Sequence, residues 1–118
     1  MGKTLDWQDL MDRLGDEELI TEIVPDFLSH DIDYVGNLKA AAGAGDVEMV
    51  IKHAHSLKGA SASIGAVSLA EASRELEMQA KAGSIDNAEL LIDQIQAELT
   101  ALTELLSQSD WMDRAKLL

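Results

Sequence analysis

His55, Lys58 and Gly59 are the residues whose types and spacing could do chemistry in this sequence, within the run Ala54-His55-Ser56-Leu57-Lys58-Gly59-Ala60-Ser61-Ala62-Ser63-Ile64-Gly65. The apolar residues around them recur at helical spacing. Counting about 100° per residue from His55, Val50, Ala54, Leu57, Ser61 and Ile64 fall on one arc at roughly 180–260°, the inward face. Lys52, Lys58, Gly59 and Ala62 fall within about 60° of His55, because residues three, four and seven apart share a helix face. The spacing therefore predicts a water-facing imidazole between two ammonium groups, beside a stretch with almost no side chain.

An imidazole in water is largely neutral at pH 7, and one ring nitrogen can attack an electrophile while the other keeps its proton. Phosphoryl groups are suitable electrophiles, since their transfer demands mostly positioning and neutralisation of oxygen charge. Lys58 is one turn along and could contact phosphoryl oxygens, with Lys52 on the other side. Glycine inside a helix costs up to about 1 kcal/mol relative to alanine, so Gly59 needs a reason other than helix stability. Clearance for a bulky partner approaching the imidazole is such a reason. The bland alternative is an ordinary solvated face, which is what an isolated histidine beside lysine usually is.

Other chemistries fit poorly. His53 falls at the edge of the core and reads as structural, and His30 as surface. His53 and His55 are two residues apart and point to different faces, so they cannot bind one metal together. Neither H-E-x-x-H, a P-loop, G-x-G-x-x-G after a strand, nor paired E-x-x-H appears. No metal site and no ATP site of its own is expected.

Composition bounds the fold. The 118 residues are 47% hydrophobic but 3% aromatic, which favours closely packed helices over a sandwich or barrel. The net charge of −13 argues against nucleic acid and anionic membranes as partners. There is no cysteine, so no disulfide framework and no thiolate chemistry. Neither a membrane span nor a signal peptide is evident, and a cytoplasmic location is expected.

Turn signals divide the chain into helices. Thr4 is expected to cap a short helix bearing Leu5, Leu10, Met11 and Leu14 and ending at Gly15. A longer stretch from Asp16 carries Leu19, Ile20, Ile23, Val24, Phe27, Leu28, Ile32, Val35, Leu38 and Ala42, with a kink or break expected near Val24 because of Pro25. Gly43-Ala44-Gly45 ends it. Asp46 is then expected to cap the helix bearing His55, which stops near Gly65. A further helix runs from Val67 to Ala82 with Leu69, Ala72, Leu76 and Ala80 inward, and Gly83-Ser84 closes it. The last, with Ile85, Ala88, Leu91, Ile92, Ile95, Leu99, Leu102 and Leu106, has the clearest period. The expected fold is all-α: one domain over residues 1–118, an antiparallel four-helix bundle with a short N-terminal helix covering one end. Its core spans about residues 5–106, leaving 107–118 as a final helical turn or a linker.

Hairpin geometry also supplies neighbours. Counting across the turn at Gly65 brings Ser73, Glu77 and Lys81 level with His55, of which Glu77 and Lys81 are the preferred flankers. Counting across Gly43–Gly45 brings His30, Asp33, Tyr34 and Asn37 to the same height.

The run from Ala54 to Gly65, with downstream Leu69 and the Leu76-Glu77 pair, resembles the signature of histidine-containing phosphotransfer (HPt) domains. So does the opening Leu14-Gly15-Asp16-Glu17-Glu18-Leu19 leading to Phe27, and the likeness extends over roughly Leu5 to Leu106. The resemblance implies a phosphorelay intermediate: His55 accepts a phosphoryl group from the aspartyl phosphate of one receiver domain and passes it to the aspartate of another. It further implies Lys58 as the phosphate-stabilising cation and Gly59 as docking clearance, with Lys52, Ile51, Ala62, Glu77 and Lys81 around them. The implied partners are response-regulator receiver domains, a hybrid sensor histidine kinase among their sources. The chain would be a monomeric phosphocarrier rather than an enzyme, without a cofactor, the Mg²⁺ lying on the receiver. Two alternatives share the signature or fold: the phosphoacceptor domain of a chemotaxis-type kinase, and an adaptor that docks receivers without carrying phosphate. Pro25 departs from the family pattern, and Glu77 and Lys81 occupy the height at which the family often has an amide or a basic residue.

Overall fold

The computed structural model describes residues 3–29 and 33–117, and His30, Asp31 and Ile32 lie outside the described residues. Among the described residues the chain is all-helical: α1 (Trp7–Leu14), α2 (Glu17–Ser29), α3 (Tyr34–Gly43), α4 (Val47–Ser63), α5 (Val67–Lys81), α6 (Ala88–Leu106) and α7 (Trp111–Lys116). α3 packs on α4, α4 on α5, α5 on α6 and α6 back on α3, closing a cycle of four helices. Leu38, Val50, Leu57, Leu69, Leu76, Ile92, Ile95 and Leu102 fill its centre, each essentially inaccessible to water.

Side-chain caps set the starts of α1, α3 and α4. Asp33 accepts a hydrogen bond from the backbone N–H of Gly36, and Asp46 from that of Met49. Each such cap is typically worth about 1 kcal/mol. The first helix starts later than Thr4 would have it: Asp6 is the cap, accepting from the Asp9 N–H. A carboxylate there also meets the positive end of the helix dipole.

Pro25 does not break the chain where expected. α2 runs through it to Ser29, and α3 starts at Tyr34 with Asp33 as its cap. A proline inside a helix forfeits one backbone hydrogen bond, a loss this helix bears while Ile20 and Val24, both fully buried, anchor it. The face is also narrower than the pattern implies, since Leu19 and Ile23 are exposed. On α6 the helix begins at Ala88 rather than Ile85, which remains partly buried.

The end of the chain is helix α7, packed against α6 and α1, with Trp111 and Ala115 buried. Lys116 ties three helices together: its ammonium lies 4.9 Å from the Trp7 ring centroid and 3.0 Å from Glu17. At the N-terminus of α1, the Asp6 N–H donates to the Gly65 carbonyl at 2.7 Å. Gly65 has φ +69°, and a Cβ there would come 3.0 Å from the Asp6 carbonyl. Glycine thus lets α1 sit against the end of α4, next to the site.

Candidate functional site

α4 turns its apolar stripe inward as the spacing requires. Val50, Ala54, Leu57 and Ser61 are fully buried and Ile64 nearly so. The opposite face is left to solvent: Lys52 and Gly59 are exposed, Lys58 and Ala62 are partly exposed, and the His55 side chain is 65% exposed. Ile51 is partly buried against the core, and so stands at the margin of this face. His53 is likewise partly buried. A Cβ on Gly59 would meet nothing within 4 Å. The protein's own packing therefore does not require a glycine there.

The centre of the site is Glu77, on α5. Its carboxylate is only 3% exposed and is held by three donors. Oε2 lies 2.8 Å from Nδ1 of His55 and 3.0 Å from Nζ of Lys81, while Oε1 lies 2.7 Å from Nζ of Lys58. The hydrogen bond from Lys58, helped by those from Lys81 and His55, outweighs the cost of burial and lowers the Glu77 pKa to about 2. The carboxylate is thus ionised at neutral pH and can only accept hydrogen bonds. It follows that Nδ1 of His55 is the protonated nitrogen. In the neutral ring Nε2 then carries the lone pair, on an imidazole that is mostly in water.

Of the neighbours expected at the height of His55, α5 contributes Glu77 directly and Lys81 through it. Ser73 instead turns inward and donates to the Leu69 carbonyl at 2.8 Å. From α3, Asp33 caps its own helix and Tyr34 stacks on Phe27 at 6.0 Å between centroids. His30 lies outside the described residues. Lys58 is not a free cation projecting beside the ring, since it is engaged with Glu77. The burial of Glu77 is what sequence reasoning missed. Its signal was present: Glu77 follows the small Ser73 by four residues and precedes Lys81 by four, at the edge of the α5 apolar stripe.

A groove of about 410 Å³ adjoins the site, walled by α1, α4 and α5. Lys58, Gly59 and Ala62 line one side, with Arg13, Val67 and Arg74 among the residues opposite. No helix among the described residues is long and apolar enough to cross a membrane.

Residues 22–105 match the Hpt domain family. The chain belongs to that family, and is a histidine phosphotransfer protein of two-component phosphorelays. Among solved structures it is similar to histidine-containing phosphotransfer protein B (HptB) from Pseudomonas aeruginosa PAO1, with a TM-score of 0.81 and 30% sequence identity. That match covers 97% of this chain and 98% of the other. No curated protein sequence matches the chain significantly. Hpt proteins are phosphocarriers that interact with receiver domains of two-component systems.

Proposed function

We propose that this protein carries a phosphoryl group on His55 between the aspartates of receiver domains. The observation that carries this reading is the 2.8 Å contact between Nδ1 of the exposed His55 and the buried Glu77 carboxylate. It assigns the proton to Nδ1 and the nucleophilic lone pair to Nε2. In the forward step Nε2 bonds to phosphorus while the acyl-phosphate P–O bond breaks, and the receiver's carboxylate leaves. The ring, now bonded at both nitrogens, carries positive charge that faces Glu77. The reverse step returns the phosphoryl group to a second aspartate. Lys58 neutralises phosphoryl oxygen charge, and docking supplies the alignment that makes the step effectively unimolecular.

Lys52, Ile51 and Ala62 form the docking surface with Gly59, whose missing side chain admits the receiver. The interface is of the small, transient class. The protein works as a cytoplasmic monomer without an ATP site or cofactor, and the Mg²⁺ belongs to the receiver. The closed cycle of α3, α4, α5 and α6 supports reading the fold as an antiparallel four-helix bundle.

The test is transfer itself. A receiver charged from acetyl phosphate in Mg²⁺ should pass an acid-labile, base-stable label to this protein. The label should be abolished in His55→Gln. Label that persists in that variant refutes the assignment.

A further inference from the structure

Two demands fall on Lys58. At rest its ammonium lies 2.7 Å from Oε1 of Glu77. In the phosphocarrier reading it must also reach oxygens of a phosphoryl group on Nε2, at the ring edge away from the nitrogen that Glu77 holds. Moving toward that group lengthens its contact with Glu77. A carboxylate 3% exposed cannot turn to water for a replacement, and a buried charge short of donors is costly. The hydrogen bond from Lys58 is also the largest cause that lowers the Glu77 pKa, so its departure leaves the remaining donors to hold the charge.

Lys81 meets this need. It sits one turn beyond Glu77 on α5, in the favourable order for an acid and a base four residues apart. Its ammonium is 3.0 Å from Oε2, and its side chain is 58% exposed, so it has room to follow the carboxylate. We propose that Lys81 is a positioning residue for phosphoryl transfer: it keeps the buried Glu77 carboxylate paired and so frees Lys58 to move onto the phosphoryl group of His55. This role rests on the phosphocarrier reading and adds a residue that touches neither the ring nor the phosphate.

The experiment uses phosphoramidate, a small donor that needs no receiver. Nε2 of His55 bonds to phosphorus, the P–N bond of the amine-protonated donor breaks, and ammonia leaves. The rate at which the full chain gains one phosphoryl group is followed by intact mass, for wild type, Lys81→Met, Lys58→Met, the double variant and Lys81→Arg. Because Lys81 is largely exposed, its effect is screened, and Lys81→Met should slow uptake by about fivefold. In the Lys58→Met background the same substitution should change the rate less than about twofold, since coupled residues are not additive. Lys81→Arg should restore most of the rate, and thermal melts should show every variant folded. Uptake by Lys81→Met at the wild-type rate overturns the proposal, as does an equal loss with and without Lys58, or failure of Lys81→Arg to restore the rate. Absence of any label on wild-type His55 would instead remove the phosphocarrier reading on which the proposal stands.

Discussion

The α4–α5 hairpin and helix α6 contribute to one core but bury different groups. α6 buries Ala88, Leu91, Ile92, Ile95 and Leu102, all apolar. The buried polar side chains among the described residues, Ser61, Ser73 and Glu77, all belong to the hairpin. The two serines need no functional explanation. They are small, and each donates to a carbonyl of its own helix, at 2.6 and 2.8 Å, which lets α4 and α5 approach closely. Glu77 is another matter, because a well-packed apolar residue would serve stability at least as well as a buried ion pair. What the carboxylate does that a leucine cannot is fix the proton on Nδ1 of His55.

Charge divides along the same line. Residues 47–81 carry Lys52, Lys58, Arg74 and Lys81 against Glu48, Glu71, Glu75 and Glu77, so the net −13 of the chain resides wholly outside the hairpin. The segment that holds His55 is thus itself without net charge.

The comparison predicts opposite consequences of substitution in the two regions. The largest effect on stability belongs to α6: Ile95→Ala should cost about 3 kcal/mol in urea denaturation, as a cavity at a fully buried site. Phosphoryl uptake per folded molecule should be unchanged. Slower uptake at equal folded fraction would tie α6 to the chemistry and break the contrast.

Next in size is Glu77→Gln, which should slow transfer on the order of tenfold by removing the charge opposite the developing cation. Its stability effect has a defined sign with pH. The folded-state pKa of about 2 lies below the ordinary 4.5, so the carboxylate's stabilising contribution is complete above about pH 4.5 and fades as pH falls toward 2. The advantage of wild type over Glu77→Gln in urea midpoint should hold from pH 7 to about 5 and then shrink. A constant difference down to pH 3 would show that pairing of this carboxylate does not contribute to folding.

The same contrast explains what could be read from sequence. The course of α4, the turns at Gly45, Gly65 and Gly83 and the outward face of His55 were legible, because each depends on local periodicity or on a glycine with positive φ. Hairpin counting brought Glu77 and Lys81 to the right height. It could not give their depth, because rotation of α5 about its own axis is set by packing against α4: the buried stripe takes in Ser73 and Glu77 and leaves Ala72 only partly covered. The pairing of Lys58 with Glu77 was hidden for the same reason. Of the kink or break expected at Pro25, the break does not occur: α2 runs through it, anchored by the buried Ile20 and Val24. The docking of α7 depends on Trp111, Ala115 and Lys116 meeting distant helices, which no local pattern specifies.

The smallest predicted effect separates folding from function within α4 itself. Gly59 lies in the helix interior, is exposed, and has open space where a Cβ would go. Alanine there should therefore stabilise the protein, by roughly 0.5–1 kcal/mol, through the backbone entropy that glycine loses on folding. Gly59→Gln should share that sign, being a good helix former with an exposed side chain. The two substitutions part at the partner. Alanine adds one methyl group and should leave receiver affinity nearly intact, whereas glutamine extends over the approach to His55 and should weaken docking while raising the melting temperature. Only a requirement imposed from outside the molecule makes a residue both suboptimal for its helix and harmful to enlarge. If Gly59→Gln binds a receiver as tightly as wild type, that requirement does not exist, and the exposed glycine is a tolerated cost to the helix rather than part of the docking face.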